Sequence, residues 1–266
     1  MIRSLHTAAS GMEAQQLRID TIANNLANVN TSGFKKSRAE FQDLFYQQLR
    51  AAGSAQTTRA AVVQSGPPVG LEVGQGTRPV ATQKIFSMGE LMQTNNPLDL
   101  AIEGQGFFKV LRPDGSFAYT RAGAFKTNAD GVIVTAEGQP LDPVITIPPD
   151  TVNVLIDTDG TIKAQGPGDV DAVEIGSIEL VQFVNNAGLH NLGHGLYTET
   201  EASGPPIFGN PGEDGLGQIA QGMLESSNVK VVEEMIDLIA AQRAYEINSR
   251  VIQTTDEMLR QVTTLR

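Results

Sequence analysis

The chain of 266 residues has no cysteine and no tryptophan. The first absence excludes disulfides, thiolate nucleophiles and zinc–cysteine sites together. The second, with only 10 Phe and 4 Tyr, leaves little from which to build a ring-lined ligand pocket. No stretch approaches the ~18 consecutive apolar residues that a membrane-spanning helix requires. Positive charge is scarce, with 19 Lys and Arg against 30 Asp and Glu, a net −11 that argues against a nucleic-acid ligand. A content of 40% apolar and 18% charged residues is that of a folded chain, and the length allows one large domain or two ordinary ones. Met1 to Ile22 has no continuous apolar core, so no cleavable secretory signal is predicted. Unless another route exports it, such a chain stays in the cytoplasm.

The flanks also lack the residues that punctuate helices. All 13 prolines and 24 of 27 glycines fall between Gly66 and Gly222, leaving only Gly11, Gly33 and Gly53 outside. This distribution predicts helix at both ends and a turn-rich middle. Charge divides in the same way. Residues 1–50 carry 6 basic and 4 acidic side chains, residues 51–228 carry 8 and 20, and residues 229–266 carry 5 and 6. The acidity belongs to the middle.

Each flank carries a heptad. In the first, Leu5, Met12, Ile19 and Leu26 are seven apart, and Ala8, Ile22 and Val29 form a second row broken only by Gln15. A helix over about residues 4–29 would be ~39 Å long. The run Asn24-Asn25-Leu26-Ala27-Asn28 favours ending it there, with Asn30-Thr31-Ser32-Gly33 as the exit turn. In the second flank, Val231, Leu238, Tyr245, Ile252 and Leu259 are seven apart, with Ala241, Asn248, Thr255 and Val262 as the second row. Ser226, Ser227 and Asn228 are candidate N-caps, and Glu233 and Glu234 suit the positive end of the helix dipole. That helix, over residues 229–262, would reach ~50 Å. An amphipathic helix often lies on its own domain's core. These stripes are narrow, diluted by Gln15, Asn248 and Thr255, and set at the extremes of the chain. They therefore point to packing of the two ends against each other or against other subunits. The apolar members of the rows are the candidate assembly interface.

The middle reads as antiparallel β. Asp114-Gly115, Asp130-Gly131 and Asp159-Gly160 each separate short alternating runs, and such turns are expected to take positive φ at both central residues. The runs are residues 107–112 with 117–121, 124–128 with 132–135, and 154–156 with 161–164. Residues 172–184 read as one more long strand, and Phe107, Phe108, Phe117 and Phe125 as its core. The expected organisation is α+β: an N-terminal helix and exit turn (1–46), an extended connector (47–80), a central β domain (81–226) and a C-terminal helix (227–266).

Catalytic machinery is hard to find. Gly104-Gln105-Gly106 leads into a strand rather than a helix, so it is no phosphate loop. His190 and His194 lie in a glycine-rich loop without a third ligand, and Asp157 and Asp159 fit a hairpin better than a calcium loop. No cofactor, metal or catalytic residue is expected.

Four blocks resemble the bacterial flagellar axial proteins, the family of the rod, the hook and their junctions. They are Thr21–Arg38 (TIANNLANVNTSGFKKSR), Ala101–Val110 (AIEGQGFFKV), Tyr119–Phe125 (YTRAGAF) and Ser227–Gln261. They occur in the family's order and the similarity covers nearly the whole chain. A modest β region suits the rod better than the hook, and Val73–Ile102 suits its distal segment, with the proximal segment as runner-up. The resemblance implies a structural subunit whose terminal helices pair in a coiled-coil-like inner layer around a channel, beneath the β domain. It implies a helical homopolymer that meets proximal rod proteins, the hook protein and the rings around the rod. It also implies passage through the flagellar type III export apparatus, without a cleaved signal. Two other classes stay open on the residues: a secreted module whose acidic β domain binds a ligand such as a glycan, and a hydrolase using a carboxylate pair.

Overall fold

The computed structural model describes residues 2–50, 69–167 and 172–264. The architecture is α+β, with one long helix at each end of the chain and antiparallel strands between them. The chain divides into two compact units, one of Met1–Asn24, Ser37–Gln83 and Val232–Arg266, the other of Asn25–Lys36 and Lys84–Val231. The second unit therefore includes the end of the first helix and the beginning of the last.

The first unit holds most of α1 (Ile2–Ala27) and α2 (Val231–Thr264). Both run unbroken because proline is absent and glycine occurs once, at Gly11. Glu233 and Glu234 stand in the first turn of α2, as the dipole favours. The helices touch in opposite directions: Arg18 pairs with Asp237 at 2.9 Å, and Gly11 faces Asn248. A Cβ on Gly11 would lie 2.9 Å from Asn248 Nδ2, so glycine permits the approach. The same unit has strands β1 (Ser37–Asp43), β2 (Gln47–Arg50), β3 (Leu71–Val73) and β4 (Thr77–Lys84), paired β1–β4 and β2–β3. Thus the segment 47–80, expected as an extended connector, carries strands at 47–50, 71–73 and 77–80, and 51–68 lies outside the described residues.

The second unit supplies β5 (Leu91–Gln93), β6 (Leu100–Glu103), β7 (Phe107–Leu111), β8 (Phe117–Thr120), β9 (Lys126–Thr127), β10 (Ile133–Val134), β11 (Asn153–Ile156) and β12 (Thr161–Gln165). It continues through β13 (Val173–Ser177), β14 (Leu180–Gln182), β15 (His190–Gly193), β16 (Leu196–Thr198), β17 (Ile207–Gly209), β18 (Gln218–Gln221) and β19 (Met223–Glu225). A six-stranded sheet runs β15-β16-β8-β7-β14-β17, a second runs β11-β12-β13, and β9–β10, β6–β18 and β5–β19 form pairs. One face of β7 and β8 packs Phe108, Val110 and Ala118 against Phe125, Ile162 and Leu180. The other packs Phe107 and Tyr119 among Phe183, Tyr197 and Phe86, with edge-to-face rings 4.8–6.0 Å apart.

Three expectations change here. Residues 172–184 are two strands, not one: β13 pairs with β12, then the chain crosses at fully buried Ile178 and β14 joins the large sheet. Phe117 is 42% exposed at the start of β8, outside the buried cluster, with the Lys109 ammonium 3.9 Å from its ring. The Asp-Gly turns place positive φ at glycine alone, with Gly115 at +80°, Gly131 at +78° and Gly160 at +86°. Each glycine N–H donates to the carbonyl three residues back, giving a type I turn closed by a left-handed glycine. Thr135–Gln139 makes the same turn around Gly138, without the Asp-Gly signal.

Candidate assembly surfaces and a buried ionic clasp

The expected rows on the two helices are unequally packed. Ile22 is buried, and so are Ala8 and Ala14 on α1 and Ala241 and Thr255 on α2. Leu5, Met12, Ile19, Leu26, Val29, Leu238, Ile252 and Leu259 are half-buried, and Val231, Tyr245 and Val262 are exposed. Gln15, which breaks the second row of α1, keeps its Oε1 buried without a hydrogen-bond partner. An unpaired buried acceptor costs roughly 1–3 kcal/mol.

A second face of α2 was not legible as a heptad. Val232, Met235, Ile236 and Ile239 are spaced by three and four and lie 50–71% exposed, with Ile247 two turns further at 61%. The strand arm adds Phe45 (93% exposed), Tyr46 (57%), Leu49 (51%) and Leu71 (52%). A two-stranded arm with its apolar side chains outside has no core of its own. Exposed apolar side chains along one helix face are a candidate surface for another protein. The period-3.6 signal was present in VVEEMIDLI, but the heptad frame masked it.

The second unit contains a different feature. Glu225, with a fully buried side chain, receives Lys35 Nζ at 2.5 Å on Oε1 and Arg121 Nε at 2.8 Å on Oε2. The Gly89 N–H also donates to Oε1, at 2.9 Å. Arg121 spends its remaining donors on the carbonyls of Ile102 (3.2 Å), Gly104 (2.9 Å) and Gly106 (2.7 Å). Lys35 also donates to Ser87 O at 2.7 Å. Burial pushes the Glu225 carboxyl up, but the Arg121 guanidinium and the Lys35 ammonium outweigh it and hold the group below its ordinary range. Burial lowers Lys35, and Glu225 offsets this only in part, since one carboxylate serves two cations. Gly104-Gln105-Gly106 thus serves as an acceptor for Arg121. It holds φ of +128° and +134° at its glycines, which other residues rarely adopt.

Asn228, a candidate N-cap, is not one, because α2 begins at Val231. Its Oδ1 accepts the Lys36 N–H at 2.8 Å, and its Nδ2 donates to Ile85 O at 2.8 Å and Ser87 O at 3.2 Å. The Gly33 N–H donates to Glu225 O at 2.8 Å, and the Ile85 N–H to Lys36 O at 2.9 Å. Segments far apart in sequence are thereby stitched together. Among the described residues no group of three His, Cys, Asp or Glu could hold a metal, and no helix is long and apolar enough to cross a membrane.

Comparison with known proteins finds three family matches along the chain. Residues 5–35 match the family described as flagella basal body rod protein. Residues 101–164 match the flagellar hook protein FlgE/F/G D1 domain, and residues 220–265 the flagellar basal body rod FlgEFG protein C-terminal region. The chain is 47% identical over 265 residues to the flagellar basal-body rod protein FlgG of Buchnera aphidicola subsp. Schizaphis graminum, covering all of both chains. It is 48% identical over 261 residues to that of Borreliella burgdorferi, covering 97% of each. The FlgG of Bacillus subtilis is 38% identical over 275 residues, with both chains fully covered.

Proposed function

From the premise that this chain belongs to the flagellar basal-body rod protein family, and is a structural subunit of the flagellar basal body, we propose that it builds the distal rod as a helical tube. In this reading α1 and α2 pair in a coiled-coil-like inner layer and the acidic β unit faces outward. The observation that carries it is the outward face of α2, with Val232, Met235, Ile236 and Ile239 exposed along one side. Covering such side chains contributes about 1–2 kcal/mol each. When one patch meets a different patch on the next copy, the contact does not close and a filament grows. The expected rows, Leu5 to Val29 and Val231 to Val262, supply further intersubunit contact. The proposed neighbours are proximal rod proteins, the hook protein, the rings around the rod and the flagellar type III export apparatus. Torque passes along the tube, and no turnover is proposed.

Electron microscopy of concentrated purified protein tests this. Tubular or helical assemblies are the expected result. Discrete dimers that never lengthen would contradict it, and turnover on cell-wall sugars would replace it with an enzymatic reading.

A further inference from the structure

The ion pairs and hydrogen bonds around Glu225 and Asn228 join the segment where the chain leaves α1 to the segment where it enters α2. Residues 25–36 take in the last turn of α1 and the segment after it, residues 223–231 lead into α2 and include its first residue, and both belong to the β unit. Asn25 (2% exposed), Lys35 (1%), Glu225 (1%), Ser227 (8%) and Val229 (6%) are buried there. These bonds all lie within one compact unit, so they need no neighbouring subunit. By contrast, the apolar face of α2 beyond Val231 is open.

We infer that this clasp is a preformed nucleus, fixing both helix roots in the unassembled chain so that α1 and α2 extend from anchored ends as neighbours cover their faces. The physical reason is the cost of starting a helix. The first turn fixes several residues for one hydrogen bond, with a nucleation constant of ~10⁻³. A root already held by burial and side-chain bonds has met part of that cost. The clasp carries this role for both helices at once, because the Gly33–Glu225, Lys35–Glu225 and Lys36–Asn228 bonds bridge one root to the other. Asn228 acts as a positioning residue: it lies outside the expected apolar rows, and its side chain bonds to the Lys36 N–H and to the carbonyls of Ile85 and Ser87.

The inference rests on the assembly reading, and the test separates the two. Full-length Asn228→Ala and wild-type chains are compared by amide exchange as dilute monomers, then by elongation of short preassembled seeds. In the wild-type monomer, amides of 25–36 and 225–231 are expected to exchange at least tenfold more slowly than those of 5–20 and 240–260. In the variant that protection falls at least tenfold at the roots while β7 and β8 keep theirs, and seeds elongate at least tenfold more slowly. Asn228→Asp, which keeps the acceptor for Lys36 N–H, should recover part of the rate. Unprotected wild-type roots, or lost root protection with an unchanged elongation rate, would overturn the inference. Wild-type chains that do not extend seeds at all, despite protected roots, would overturn the assembly reading and this inference with it.

Discussion

Replacing Glu225 by glutamine removes the one anion that compensates two buried cations, without changing the shape of the side chain. Both partners are almost wholly enclosed, Lys35 at 1% and Arg121 at 5% side-chain exposure. Breaking a buried pair from one side typically costs 3–5 kcal/mol, because an uncompensated charge remains. Here the cations keep carbonyl partners, Ser87 for Lys35 and Ile102, Gly104 and Gly106 for Arg121, which places the cost near the low end, at about 3 kcal/mol. For a unit of this size, each kcal/mol moves the midpoint by roughly 2–4 °C, giving a fall of roughly 6–12 °C. Differential scanning calorimetry of dilute monomer measures it. Lys35→Met should cost less, since Glu225 keeps Arg121 and the Gly89 N–H. A shift of Glu225→Gln below about 2 °C, or a larger loss in Lys35→Met, would refute the reasoning. The same group sets a pH dependence. Its folded pKa is depressed, so its stabilisation is complete above the unfolded value of about 4.3 and disappears as pH falls through the lower folded value. Wild-type midpoints should drop more steeply below about pH 4 than those of Glu225→Gln.

Ile236→Asp, on the open face of α2, should leave the monomer's melting midpoint within about 2 °C and abolish assembly, because it charges a surface that only a neighbour buries. Gly33→Ala should lower the β unit's stability by several kcal/mol in urea titration, since φ is +69° and the added Cβ would lie 2.6 Å from Ala122 N. Deleting residues 1–20 or 236–266 should abolish assembly in electron micrographs while the β unit melts near its wild-type midpoint, because both cuts spare the clasp.

Much of the fold was written in local pattern. Proline and glycine placement marked both helices, and the β7–β8 and β11–β12 hairpins lie where Asp-Gly divides alternating residues. What pattern could not reveal depended on long-range neighbours. Residues 172–184 read locally as one continuous β-rich run, and only the competing partners β12 and β7 split them. Lys35, Arg121 and Glu225 look like surface charges, because sequence does not distinguish a solvated charge from a compensated one. The one available signal was Arg121 as the single charge inside AYTRAGAF. The α2 rows were visible, but a rigid seven-residue frame hid Val232, Ile236 and Ile239 on another side.

The central claim is that the terminal helices complete their packing only in the polymer, where other copies cover the faces left open in one chain. Residue-resolved amide exchange on verified monomer and on assembled tubes tests it most directly. In the monomer, residues 5–20 and 240–260 should exchange fast while β7, β8 and β14 exchange slowly, and in tubes both helices should become protected with little change in the strands. Slow exchange throughout both helices in a verified monomer, unchanged on assembly, would contradict the account.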